Sequence, residues 1–97
     1  MVDIRLSPRA ELDIEEIALH GLTEFGVRQA EKYHDGLFRI FELMRAFPMI
    51  GPDAGLPRYP DLRRFAYGAH VIFYSIEDTV VIIRRVLHGR MDARRHL

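Results

Sequence analysis

The chain has 97 residues, 48% of them apolar and 29% charged, with no cysteine and a formal net charge of zero. That is length for one domain, residues 1–97, and not for two, and the missing thiols exclude disulfides, thiolate nucleophiles and thiolate metal sites. The apolar runs fall far short of a membrane span, and the charged opening Met1-Val2-Asp3-Ile4-Arg5 lacks the apolar stretch of a secretory signal, so the expectation is a cytoplasmic protein with no membrane contact.

Val2, Ile4 and Leu6 alternate with Asp3 and Arg5, the period of a short strand with one buried face. Ser7-Pro8 follows as a helix start, since serine caps and proline is tolerated at the first helical position. Ala10, Ile14, Ile17, Ala18, Gly21, Leu22 and Phe25 then recur at spacings of three and four, and the opposite side is read as Glu11, Asp13, Glu15, Glu16 and Glu24. Gly26 stops this helix. A second stripe of Ala30, Tyr33, Leu37, Ile40, Met44 and Phe47, broadened by Phe41, runs to Pro48. Two such helices joined by two or three residues predict an antiparallel hairpin whose stripes pack as core.

Residues 48–61 hold four of the five prolines and two of the seven glycines, the mark of an ordered loop. Three strand-like runs follow: Leu62 to Tyr67, His70 to Ile76 and Thr79 to His88, separated by turns at Gly68-Ala69 and Glu77-Asp78. The middle run is apolar on both faces and is expected at the centre of the sheet. Hairpin connections make these neighbours antiparallel. The tail from Gly89 to Leu97 reads as a basic extension. Strand, two helices and three strands predict an α+β fold, with helices on one face of a mostly antiparallel sheet.

The zero net charge hides a split. Residues 1–55 carry 6 basic and 10 acidic side chains, whereas residues 56–97 carry 8 and 4. Every basic residue but Lys32 is arginine, whose planar fork suits carboxylate or phosphate. A bipolar, arginine-dominated domain points to an acidic partner surface or to nucleic acid.

The motifs Leu6-Ser7-Pro8 with Ala10 and Glu11, Phe47-Pro48 with Gly51, Leu62-Arg63-Arg64, His70-Val71-Ile72-Phe73-Tyr74, and Arg85-Val86-Leu87-His88-Gly89-Arg90 with Asp92 occur in this order nearly end to end. Together they resemble the ParE family of toxins in type II toxin–antitoxin systems. The resemblance implies a RelE/ParE-like fold, poisoning of DNA gyrase, and tight binding by a ParD-like antitoxin. DNA would then be reached only through gyrase or the antitoxin, and no cofactor is implied. A sister branch, resembling RelE, cuts messenger RNA on the ribosome, and a shared fold does not choose between the two.

RNA cleavage by a 2′-hydroxyl needs an acid, a base and cations for the developing phosphorane charge. The RelE-like closing motif resembles His-Arg-x-x-Val-Tyr. Here Gly89-Arg90-Met91-Asp92-Ala93-Arg94 puts Arg94 in the tyrosine slot, and the sheet half has no lysine. Those departures favour a binding inhibitor with no catalytic residues. His88, with Arg85 and Arg90, remains the candidate set for an endoribonuclease, His88 serving as acid or base; its alternative is a satisfied histidine that pins the tail. His20, His34 and His96 show no metal-ligand pairing, so no metal is expected.

The expected target- or antitoxin-binding set is Arg63, Arg64, Phe65, Tyr67, Tyr74, Arg85, His88, Arg90, Arg94 and Arg95. Arg84 and Arg85 are adjacent on a strand and are expected on opposite faces. Arg85 has two open readings, partner contact or an internal ion pair with an acid of the helix hairpin. Arg63 and Arg64 begin a strand and serve either a partner or solvent. Phe65 and Tyr67 share one face by period 2, as core or as an aromatic platform. The tail arginines are read as serving toxicity or as masked by the antitoxin.

Overall fold

The computed structural model describes residues 1–97 and contains β1 (Asp3–Leu6), α1 (Pro8–Phe25), α2 (Val27–Ala46), β2 (Arg63–Tyr67), β3 (His70–Glu77), β4 (Val80–His88) and α3 (Ala93–His96). The four strands form one sheet in the order β1-β4-β3-β2. β2–β3 and β3–β4 are antiparallel hairpins, while β1 runs parallel to β4. The parallel pair follows from connectivity: the chain leaves β1 through the helix hairpin and re-enters the sheet from the far edge. The fold is thus α+β with a mostly antiparallel sheet.

Local chemistry sets the element ends. The Ser7 hydroxyl accepts the Ala10 N–H at 3.0 Å and caps α1. Pro8 occupies its first turn, where no amide donor is needed. Gly26, at φ 83°, is the only residue between the two helices. The hairpin is therefore tighter than the two- or three-residue connection expected, because glycine takes the left-handed conformation at no steric cost. The β3–β4 turn falls on Asp78-Thr79, one residue later than expected, with Asp78 at φ 53°. The tail is not a plain extension. Asp92 caps a short helix, its carboxylate accepting the Arg94 N–H at 3.1 Å.

The main core lies between the helices and the sheet and includes Ala10, Ile14, Leu37, Phe41, Met44, Ile72, Tyr74, Val81, Ile83 and Val86. A smaller core of Leu62, Val71, Phe73 and Leu87 lies on the outer face, covered by Ala54, Leu56 and Tyr59 of the proline-rich loop and by Ala93 and Leu97 of the tail. β3 is thus buried on both faces and sits inside the sheet, as its apolar run predicts. The stripes do not stay buried along their whole length. Leu22, Phe25 and Phe47 are exposed.

Gly36 explains itself by packing. A Cβ there would lie 1.9 Å from the Tyr67 hydroxyl, so only glycine lets α2 approach β2 this closely.

Candidate functional site

The register of β4 carries the first departure from the sequence reading. Phe73 pairs with Arg85 and Tyr74 with Ile83, so Arg84 is an extra residue in a β-bulge. A bulge interrupts strand alternation and can turn adjacent side chains to one side. Arg84 and Arg85 accordingly line the same outer-face cavity instead of opposite faces. Arg84 donates to the Ser75 hydroxyl at 3.0 Å and to the Glu77 carboxylate at 2.7 Å. Its own carbonyl accepts from the Ser7 hydroxyl at 2.7 Å, which fastens the start of α1 to the bulge.

Arg85 is 8% exposed. Its Nε and Nη2 donate to the two Asp13 oxygens at 2.8 and 2.9 Å, a bidentate pair. One Asp13 oxygen also accepts the Val86 N–H at 2.9 Å. The third guanidinium nitrogen donates to the His96 carbonyl and holds the tail. The hydrogen bonds to Asp13 push the arginine pKa further up, against the opposing effect of burial. Of the two readings of Arg85, the geometry gives the internal ion pair. Asp13 itself belongs to the buried side of α1, not its polar side. The signal was present, because Asp13 stands three residues after Ala10 and four before Ile17, on the apolar stripe.

A second cluster sits on the helix face at the other end of the sheet. The Tyr33 hydroxyl accepts the Ala69 N–H at 3.1 Å, donates to the Tyr67 carbonyl at 3.0 Å, and lies 2.6 Å from His70 Nδ1. A hydroxyl has one proton, so it donates either to the Tyr67 carbonyl, with Nδ1 as the donor of the third bond, or to Nδ1 itself. Burial lowers the His70 pKa, helped by the positive charge that His88 and His20 can carry. Burial likewise raises that of Tyr33. The His70 and His88 rings meet edge to face at 5.5 Å. His88 is exposed, and its Nδ1 accepts the Arg90 N–H at 3.1 Å. His70 and His88 line a cavity of about 290 Å³ together with Ile14, Phe25, Ala30, Tyr33 and Leu37.

The remaining expected residues scatter. Tyr74 is 0% exposed, which closes it to any partner. Its hydroxyl instead donates to the Pro48 carbonyl at 2.7 Å and accepts the Gly51 N–H at 2.8 Å, clamping the proline-rich loop to the sheet. Phe65 and Tyr67 share one face, and that face packs on the main core. Arg63 is partly buried, donates to the Met49 carbonyl at 3.3 Å, and leaves its Nε without a partner. Arg64 is exposed on the edge strand. Arg90, Arg94 and Arg95 are exposed on the tail, and Arg94 stays near Asp92 at 3.4 Å. The candidate set of His88, Arg85 and Arg90 is not assembled: Arg85 lines the outer-face cavity and His88 the helix-face one. No helix is long and apolar enough to cross a membrane.

A family described as the ParE toxin of type II toxin–antitoxin systems, parDE, matches residues 4–93. This chain belongs to the ParE toxin family.

Relatives of the ParE family span its full length. Toxin ParE1 of Caulobacter vibrioides is 41% identical over 98 residues, covering 100% of this chain and 99% of that protein. Toxin ParE1 of Mycobacterium tuberculosis is 38% identical over 94 residues, covering 95% and 94%. A chain of the chromosomal ParDE system from P. aeruginosa superposes with a TM-score of 0.77 at 15% identity, over 91% of this chain and 96% of that one. A chain of the RelBE2 toxin–antitoxin complex from Mycobacterium tuberculosis does so with a TM-score of 0.60 at 20% identity, over 90% and 96%. At those identities the two superpositions establish the ParE/RelE-like fold.

Proposed function

We propose that this ParE-family toxin arrests bacterial growth in the cytoplasm by binding and poisoning DNA gyrase, with no chemistry of its own, and that a ParD-like antitoxin neutralises it. The observation that carries the reading is the commitment of Arg85. Its guanidinium is spent on Asp13 and the His96 carbonyl, and it lines a different cavity from His88. Arg85 is therefore not free to act as the phosphorane-stabilising cation that the endoribonuclease reading asks of it.

The antitoxin is supported by apolar surface that an isolated soluble domain has little reason to keep. Leu19, Phe25 and Val27 at the hairpin tip are 61–67% exposed, and Phe47 and Met49 after α2 are 61% and 70% exposed. The Arg63 guanidinium, which donates to the Met49 carbonyl, places a positive charge next to the second patch. An amphipathic, acidic segment suits both.

The test is induction of the chain alone in a bacterial host carrying a DNA-damage reporter. Arrest with reporter induction is expected; arrest with intact DNA and cleaved messenger RNA sinks the gyrase reading. A ribosome-dependent endoribonuclease is the second reading, favoured by one observation: His88 is exposed beside the backbone of Arg90, with the neutral-leaning His70 ring 5.5 Å away.

A further inference from the structure

The outer-face cavity, about 540 Å³, has no part in the gyrase reading. It falls within the roughly 300–1,000 Å³ of small-molecule sites. Its lining brings together four arginines from three parts of the chain: Arg9 at the start of α1, Arg58 in the proline-rich loop, and Arg84 and Arg85 at the bulge. Arg9 and Arg58 are exposed and form no salt bridge. Arg84 is held in place by Ser75 and Glu77 and keeps N–H donors beyond those bonds, whereas Arg85 is committed to Asp13 and the His96 carbonyl. Asp61 and Glu77 also line the cavity; Glu77 engages Arg84 and Asp13 engages Arg85, which leaves Arg9 and Arg58 against the single carboxylate of Asp61. The aromatic side chain of Tyr59 lies on the wall beside Leu62 and Leu97, and its hydroxyl is fixed by the Leu97 carbonyl at 2.9 Å.

Fixed and free guanidinium groups around a recess open to solvent recognise an oxyanion, and an adjacent ring with apolar walls accepts a flat group. We infer that this cavity binds a phosphate ester of the nucleotide class, its phosphate held by Arg9, Arg58 and Arg84 and its base against Tyr59. A carboxylate from a protein partner would satisfy the same arginines but would leave most of a space this large unfilled. The phosphate ester is therefore the better fit. The bulge is the structural device behind the site, since regular alternation would send Arg84 and Arg85 to different faces.

The test is an amide chemical-shift titration of the full chain with AMP, with adenosine, and with an acetylated tetraglutamate peptide. Saturable shifts at Arg9, Ser75 and Arg84 with AMP, and at least tenfold weaker binding of adenosine, are expected. Arg9→Ala and Arg58→Ala should each weaken AMP about fivefold or more, with unchanged circular dichroism. Both are surface residues, so loss of fold does not confuse the result. Absence of saturable shifts with AMP overturns the inference. So does equal binding of adenosine, indifference to both substitutions, or binding by the peptide alone, which would reassign the cavity to a partner's carboxylates. None of these outcomes depends on whether the chain poisons gyrase.

Discussion

Replacing Asp13 with alanine should be among the most damaging single changes outside the apolar core. The side chains of Asp13 and Arg85 are 9% and 10% exposed, so neither charge can turn to water without opening the fold. The substitution removes both acceptors of the guanidinium fork and the acceptor of the Val86 N–H. Breaking a buried pair from one side costs about 3–5 kcal/mol, because a desolvated charge is left behind. A domain of this size has only about 5–15 kcal/mol in total. In urea, with a slope of roughly 1–2 kcal/mol/M, the midpoint should fall by about 1.5–5 M. The double substitution Asp13→Leu with Arg85→Met removes both charges and should be more stable than Asp13→Ala alone. Arg85→Met alone should also speed amide exchange in the tail, since it frees the His96 carbonyl. A loss below about 1 kcal/mol for Asp13→Ala would put the pair in the class of surface bridges and refute the reasoning.

Tyr74→Phe removes the clamp on Pro48 and Gly51 and should cost about 1–3 kcal/mol in chemical denaturation; a neutral result would mean water replaces the hydroxyl. Gly36→Ala, which stabilises an ordinary helix by up to about 1 kcal/mol, should here lower the melting temperature, because the new methyl meets the Tyr67 hydroxyl. An increase contradicts the packing. His70 sets a pH dependence. Its folded pKa lies below the ordinary 6.5, so on acidification the unfolded chain takes up the proton first. Stability is then full above pH 6.5 and falls as pH drops towards the lower folded value. His70→Gln should flatten that slope in thermal melts recorded against pH, and an unchanged slope rejects the assignment. His88→Ala should leave growth arrest and messenger RNA integrity unchanged; messenger cleavage by the parent chain that the substitution abolishes, with folding preserved, returns the endoribonuclease reading.

Most of the architecture could be read from periodicity, because each element either buries one face or, like β3, both. The capping of α1 by Ser7 and its stop at Gly26 were legible for the same reason, since both are local. What failed was non-local. The bulge at Arg84 is a property of the β3–β4 register, and nothing in the local sequence of Arg84-Arg85 announces it. Asp13 was legible in hindsight, as an acid standing on an apolar stripe; counting it with its acidic neighbours hid the partner of Arg85. Tyr74 belongs to a run apolar on both faces, so its burial was legible, but its clamp on Pro48 and Gly51 is non-local and was not. The cavity arginines Arg9 and Arg58 are far apart in sequence, and only the folded chain places them around one space.

The most direct measurement of the central claim is a supercoiling and DNA-cleavage assay with purified gyrase and excess toxin. Loss of supercoiling with a trapped cleavage complex, reversed by the antitoxin, is the predicted result. Unimpaired supercoiling and no trapped complex, with a folded protein that still arrests growth, would contradict it.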